Sequence, residues 1–287
     1  MTSQRVVILN AIRGHRKPLF GQLRALGIKT AVGYIPPELT IVQIGDLVGA
    51  YPDSSEGLIR EVDNLREHSP GQWIQLIGKA EARYTPAGVY YQPPAQEKGG
   101  HRDINLSHQK RLARWWESGK HAGVAAVIAS DTMAPTLITH SGVHKAIHNH
   151  LGTDDPYELA ARLNAAASKN LAWVFAAGHL AGNYNTAPGP IWTSPFELWT
   201  SWATQPLPYD QIVGGFRPYH FTSKKWWRHP EPIDHTHATV LPERQMTYWR
   251  HPHSSHGIVH IDDGLQAKSP PSQLRAHTFD NAVVEVP

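Results

Sequence analysis

The chain has 287 residues, 40% hydrophobic and 18% charged, which suits a soluble globular protein of one large α/β domain or two small ones. Its 27 basic and 24 acidic residues leave a formal net charge of +3, too balanced for nucleic-acid binding through bulk charge. The cysteine count of 0 excludes disulfides and thiolate metal sites, and no apolar run reaches the roughly 18 residues of a membrane span.

The N-terminal "MTSQRVVILNAIRG" lacks the charged start, long apolar segment and cleavage site of a signal peptide. It is read as the opening strand of a cytoplasmic protein, with a virion component as the alternative if the chain is phage-encoded. "RVVILN" (5–10) is a buried β-branched run, and "PLFGQLRALGI" (18–28) has apolar residues at helical spacing up to a stop at Gly27. A second buried strand, "LTIVQIG" (39–45), precedes a loop and the helix "EGLIREVDNLREH" (56–68), and "WIQLIG" (73–78) is a third strand. This alternation predicts a layered α/β fold with a largely parallel sheet, whose sites form at the carboxyl ends of the strands.

Residues 85–105 read as a long loop, followed by a helix at 108–119 and strands at 124–129 and 134–140. A helix is predicted over 156–178, a Pro/Gly/Trp-rich surface segment over 182–202, and strands over 211–215 and 256–265. No internal repeat or linker stands out, so the whole of 1–287 is taken as a single domain.

Histidine and tryptophan are unusually frequent, at 19 and 10. Seven histidines fall within 228–260, the His/Pro-rich segment centred on 222–257. His235/His237 and His251/His253 have the i, i+2 spacing that puts two imidazoles on one strand face. Such pairs can bind a metal; a solvated loop interrupted by proline is the other reading. Trp115, Trp116, Trp192, Trp199, Trp202, Trp226, Trp227 and Trp249 would either cover the sheet as core or form an aromatic partner surface. The cluster at 190–202 also resembles a segment that lies near the substrate cleft in the family the motifs below resemble, and that resemblance implies a rim role.

Six short stretches carry the chemistry: "VVILNAIRGH", "GDLVGAYPDS", "LIGKAEARY", "LITHSGV", "QIVGGFRP" and "VHIDDGL". In their order and spacing they resemble the calcineurin-like metallophosphoesterases, in particular the bacterial phosphoprotein-phosphatase-like branch. The resemblance implies a central β-sandwich flanked by helices, with strand-end loops converging on two metal ions. It also implies a degenerate site. Where the family has Gly-Asp-x-His, this chain has Asn10, Ala11, Ile12 and Arg13. In the second motif Gly45 and Asp46 match, Gly49 and Ala50 replace an Asp and an Arg, and Pro52-Asp53-Ser54 survives as a remnant. The family's Gly-Asn-His-Glu has become Gly78, Lys79, Ala80 and Glu81. His140 keeps its place, and Gly215 stands where another ligand histidine would be.

Asp46 and His140 are therefore the only metal-site remnants the resemblance carries over. The Arg13 and Lys79 cations stand where ligands stood. A unit positive charge about 4 Å from a dication is repelled by roughly 8 kcal/mol at an effective dielectric of about 20. Three arrangements are open: the cations hold an anionic ligand in place of the metals, they point into solvent, or they pair with Asp46 and Glu81 and fill the site. The functional expectation is a catalytically inactive binding or structural component without a cofactor, engaging another protein or a phosphorylated small ligand, with no membrane or nucleic-acid role. The alternative is an altered phosphoester hydrolase using Asp46, His140 and the recruited histidines around one divalent Mn, Zn or Fe ion.

Overall fold

The strand β1 (Arg5–Leu9) shows why the apolar runs are continuous. Val7 and Leu9 face one hydrophobic cluster, whereas Val6 and Ile8 face another. A strand buried on both faces has no polar side to write into its sequence. These relations come from a computed structural model that describes residues 4–49, 52–86, 104–119, 123–178, 187–227, 236–262 and 274–287, without the side chains of 52–54.

Beyond β1, the strands are β2 (Leu39–Gln43), β3 (Trp73–Gln75), β4 (Ala125–Ser130), β5 (Met133–Thr139), β6 (Asp210–Val213), β7 (Tyr219–His220) and β8 (Lys225–Trp226). They continue with β9 (Ala238–Leu241), β10 (Met246–Arg250), β11 (Gly257–Ile261), β12 (Ala276–Asp280) and β13 (Ala282–Glu285). One sheet has the order β12-β1-β2-β3, and a larger one has β13-β4-β5-β6-β11-β10-β9. Val6, Ile8, Val42, Ile44 and Leu76 of the first meet Ala126, Ile128, Ile138, Ile212 and Ile261 of the second. The sandwich is thus central, as expected.

Helices α1 (Arg16–Ala25), α2 (Pro52–His68) and α4 (Leu106–Glu117) cover the smaller sheet through Leu19, Leu23, Leu58, Val62 and Leu112. The short α3 (Lys79–Ala82) leaves the end of β3. On the larger sheet, α5 (Lys145–Leu151) and α6 (Pro156–Ser168) bury Ile147, Leu159, Leu163 and Ala167. Finally, α7 (Pro195–Trp202) packs Leu198, Trp199 and Trp202 against Val213, Trp249 and Ile258.

Three expectations change. The sheets are mixed: β1-β2-β3 and β5-β6-β11 run parallel, but β12, β4, β10 and β13 pair antiparallel to their neighbours. The helix expected over 156–178 stops at Ser168, because Asn170 takes a positive φ of 51° and Leu171 N–H turns back to the Ala166 carbonyl. The segment at 182–202 is not a surface strip in its described part, since Ile191, Trp192, Leu198, Trp199 and Trp202 are all buried. Ser194 and Glu197 form a capping box with Pro195 at the first turn, a start signal present in the sequence as S-P-x-E.

Candidate functional site

Parallel strands β1, β2 and β3 of one sheet and β5, β6 and β11 of the other send their carboxyl ends into one set of loops. Arg13 and Asp46 both sit in the left-handed backbone region, at φ of 50° and 55°, a conformation uncommon for residues with a Cβ. Their loops are laced together, with Arg13 N–H donating to the Asp46 carbonyl at 2.7 Å and Gly14 N–H to that of Leu47 at 2.9 Å. Gly45, at φ 99°, leaves no space for a side chain: a Cβ would lie 2.5 Å from Gly78 N and 2.8 Å from His140 Nδ1.

Lys79 reaches into the middle of this arrangement. Its Nζ donates to Asp46 Oδ2 at 2.6 Å, and lies 3.4 Å from both His140 Nε2 and the Gly215 carbonyl. The ring of Phe216 stands 4.5 Å from the same ammonium. Asp46 Oδ1 accepts from Ala80 N–H at 2.9 Å. Burial opposes ionisation of Asp46, but the positive groups around it, led by Lys79, hold its carboxyl well below the usual range.

His140 is fully buried. Burial leads the effects that lower its pKa, against the pull of Asp46, and keeps the ring neutral. Its Nδ1 meets the Ile44 carbonyl at 2.8 Å, and a carbonyl only accepts, so Nδ1 carries the proton. Nε2 therefore presents its lone pair to Lys79. Arg13 is the more exposed cation, 34% accessible, with Nε 3.9 Å from Asp46 Oδ2 and Nη2 donating to the Gly215 carbonyl at 3.4 Å.

Glu81 does not pair with either cation. It is buried and accepts three backbone hydrogen bonds, from Asp46 N at 2.8 Å, Gly78 N at 3.0 Å and Val48 N at 3.0 Å. Burial and the negative Asp46 raise its pKa to about 7 despite those donors. Glu81 is thus the clamp between the two motif loops. Ala11 is buried, Ala80 contributes its backbone N–H, and Gly49 lies 3.4 Å from Arg13 when given a Cβ. Ala50 falls outside the described residues.

Two features had no sequence signal. Asn10 Nδ2 donates to the Gly214 and Ile261 carbonyls, both at 2.8 Å, tying the ends of β1, β6 and β11 together. Arg217 meets Asp262 at 3.4 Å on the same side. Neither partnership follows from spacing, because over 40 residues separate the members of each pair and only the sheet order joins them.

Of the two histidine pairs, only His237, His251 and His253 fall among the described residues. His235 lies outside the described residues, and His237 is exposed. His251 is buried and fully occupied: Nε2 meets the Trp202 carbonyl at 2.8 Å, and Nδ1 accepts from the backbone N–H of His253 at 3.0 Å. Among the described residues no three carboxylate or imidazole side chains gather to hold an ion. The histidine that matters structurally is His260, whose Nε2 accepts from Trp199 Nε1 at 3.0 Å. Burial pushes its pKa down to about 3. Trp115, Trp192, Trp199, Trp202 and Trp249 are core, with Trp199 stacked on Trp249 at 6.0 Å. The rim role expected for the 190–202 cluster fails because the aromatic faces are needed to cover the larger sheet.

A two-metal centre does not fit these residues. The Lys79 ammonium stands where an ion shared by Asp46 and His140 would stand, and Arg13 adds a second positive charge. Gly215 has no room for a ligand side chain either, since its Cβ would lie 2.5 Å from His140 Nε2.

No protein-family profile and no curated protein matches the chain. Among solved structures, it is similar to a mutant cold-active protein tyrosine phosphatase at 20% identity and a TM-score of 0.46, over 74% of this chain and 65% of that one. The cold-active protein tyrosine phosphatase of a psychrophilic Shewanella species gives 18% identity and 0.43, again over 74% and 65%. A protein serine/threonine phosphatase from Saccharomyces cerevisiae gives 12% identity and 0.41, over 97% and 80%. The chain thus spans just under two-thirds of the length of the first two. These likenesses are distant, and the fold assignment rests on the sheet order and core described above.

Proposed function

We propose that this protein is a phosphatase-like scaffold that no longer hydrolyses phosphoesters and serves as a binding component for an anionic ligand, with Arg13 as its contact. One observation carries the reading: the Lys79–Asp46 ion pair at 2.6 Å, with His140, Gly215 and Phe216 around the ammonium. Hydrolysis by two metals needs a nucleophilic hydroxide and neutralised phosphoryl oxygens held by several fixed ligands. Here the carboxylate best placed to hold an ion is already neutralised by a side chain. Arg13 differs from Lys79 in being one-third accessible and only loosely engaged, at 3.4 Å and 3.9 Å. Its planar fork is suited to a phosphate or carboxylate group.

The test is a pair of assays on the purified full chain. A generic aryl phosphate is expected to show no turnover with added Mn²⁺. Titration with inorganic phosphate or a phosphorylated peptide is expected to show binding that is lost in Arg13→Ala. Metal-dependent turnover abolished by His140→Ala would overturn the reading, as would binding indifferent to Arg13.

A further inference from the structure

We propose that the outer face of α1 and the turn after it form a docking surface for an acidic segment of a partner protein. Lys17, Arg24 and Lys29 meet its carboxylates, and Val32 with Tyr34 receives one of its apolar side chains. The inference uses none of the residues of the anion-binding reading and does not rest on it.

Charge is unevenly spread along the chain. All 24 acidic residues lie at or beyond Glu38, whereas Arg5, Arg13, Arg16, Lys17, Arg24 and Lys29 precede it. Folding then sorts these cations. Leu19 and Leu23 turn α1 onto the smaller sheet, so Lys17, Gly21 and Arg24 line the opposite stripe of the helix at i, i+4 and i+7. Gly21 has open space beside it, which keeps that stripe flat. Glu61 of α2 reaches Arg16 at 2.6 Å. Lys17, Arg24 and Lys29 are exposed, and none of them pairs with a carboxylate among the described residues.

The turn beyond α1 holds two apolar side chains in water. Lys29 and Tyr34 exchange backbone hydrogen bonds at 2.9 and 3.1 Å, and the Lys29 ammonium stands 5.7 Å from the Tyr34 ring. Residues on and just after α2 brace the turn from behind. Asn64 Nδ2 donates to the Thr30 carbonyl at 2.8 Å, and Ser69 Oγ donates to the Gly33 carbonyl at 2.8 Å while accepting from Ile35 N–H at 2.9 Å. Gly33 takes a φ of 69°, and a Cβ there would lie 2.6 Å from the Asn64 carbonyl. So braced, Val32 stays 62% and Tyr34 43% exposed. Single exposed apolar residues are ordinary, but a fixed pair flanked by unpaired cations is a preformed contact whose ordering the fold has already met. Tyr and Arg are residue types that anchor protein interfaces, and carboxylates complement the three cations. Two apolar side chains are too few to hold a chain in a bilayer, and a phosphate backbone offers nothing to cover them.

The experiment uses the full chain, with a fluorescein-labelled Glu/Asp-rich peptide carrying a central Leu as the probe, read by fluorescence anisotropy. Wild type is expected to bind it, more weakly as salt rises. Lys17→Glu/Arg24→Glu and, separately, Val32→Ser/Tyr34→Ser should each weaken binding about tenfold or more, and only the first should also reduce the salt dependence. Lys225→Glu/Arg244→Glu makes the same change in net charge on other exposed residues and should leave the affinity unaltered. No binding by wild type, full affinity in Lys17→Glu/Arg24→Glu, or an equal loss in Lys225→Glu/Arg244→Glu would overturn the proposal. So would tighter binding to phosphatidylserine vesicles or duplex DNA than to the peptide. Inorganic phosphate is titrated separately, and Lys17→Glu/Arg24→Glu should leave that titration unchanged, so failure of either reading is seen apart from the other.

Discussion

Glu81 shows how much a single side chain organises. It satisfies three buried N–H groups from two loops that are otherwise distant in sequence. Glu81→Gln keeps one acceptor oxygen but sets an amide N–H₂ against one of those donors, an expected loss of about 1–3 kcal/mol in urea unfolding. The pH dependence has a definite sign. Its folded pKa of about 7 lies above the ordinary 4.5, so the folded chain holds this proton more tightly than the unfolded chain. That contribution is complete below the unfolded value and drains away as pH rises through the folded one. Asp46 acts oppositely: its folded carboxyl lies below the ordinary 3.8, so its contribution is present above that value and lost as pH falls through the folded value. Because the buried His140 and His260, with lowered pKa values, act in the opposite direction, the effect of Glu81 is read by comparison: between about pH 5 and pH 8 urea midpoints should fall less, or rise more, in Glu81→Gln than in wild type. An unchanged slope would show that Glu81 is not the group responsible.

Helix α7 carries the lesson at the level of elements. Its start was written in the sequence, because Ser194 and Glu197 satisfy each other's backbone donors and Pro195 needs no N–H partner at that position. Composition alone, rich in Pro, Gly and Trp, pointed instead to surface. Ser194→Ala should cost about 1 kcal/mol through loss of the cap. Trp199→Ala should cost about 3–5 kcal/mol in the same unfolding measurement, since it removes a buried indole stacked on Trp249. If Trp199 were a rim residue its replacement would change stability by less than about 0.5 kcal/mol. The indole also donates to His260, so His260→Ala is expected to weaken the protein by leaving that N–H unpaired inside the core.

Across the whole molecule, the two sheets meet through one apolar layer and are covered outside by helices. Protection in hydrogen exchange should follow this enclosure. Amides of β1, β2 and β5, which have paired strands on both sides, should exchange slowest. Those of β9 and β13, at the edges of the larger sheet, should exchange fastest. The same architecture explains why the site tolerates a lysine at its centre. Loops anchored by six parallel strand ends keep their places by backbone pairing, so the scaffold does not depend on an ion to hold them.

The sequence by itself determined the buried strands, the early helices and the order of the strand-end loops, because apolar periodicity and Gly or Pro signals act over a few residues. It also marked Asp46, His140, Arg13 and Lys79 as the residues to watch. Only the tertiary structure decided what they do to one another. Lys79 and His140 are 61 positions apart, and Lys79 and Gly215 are 136 apart. Their meeting depends on β3, β5 and β6 ending at one place. The tryptophan cluster and His251 show the same limit. Spacing along the chain showed which side chains share a face, but the packing of the larger sheet decided that His251 and Trp199 face inward.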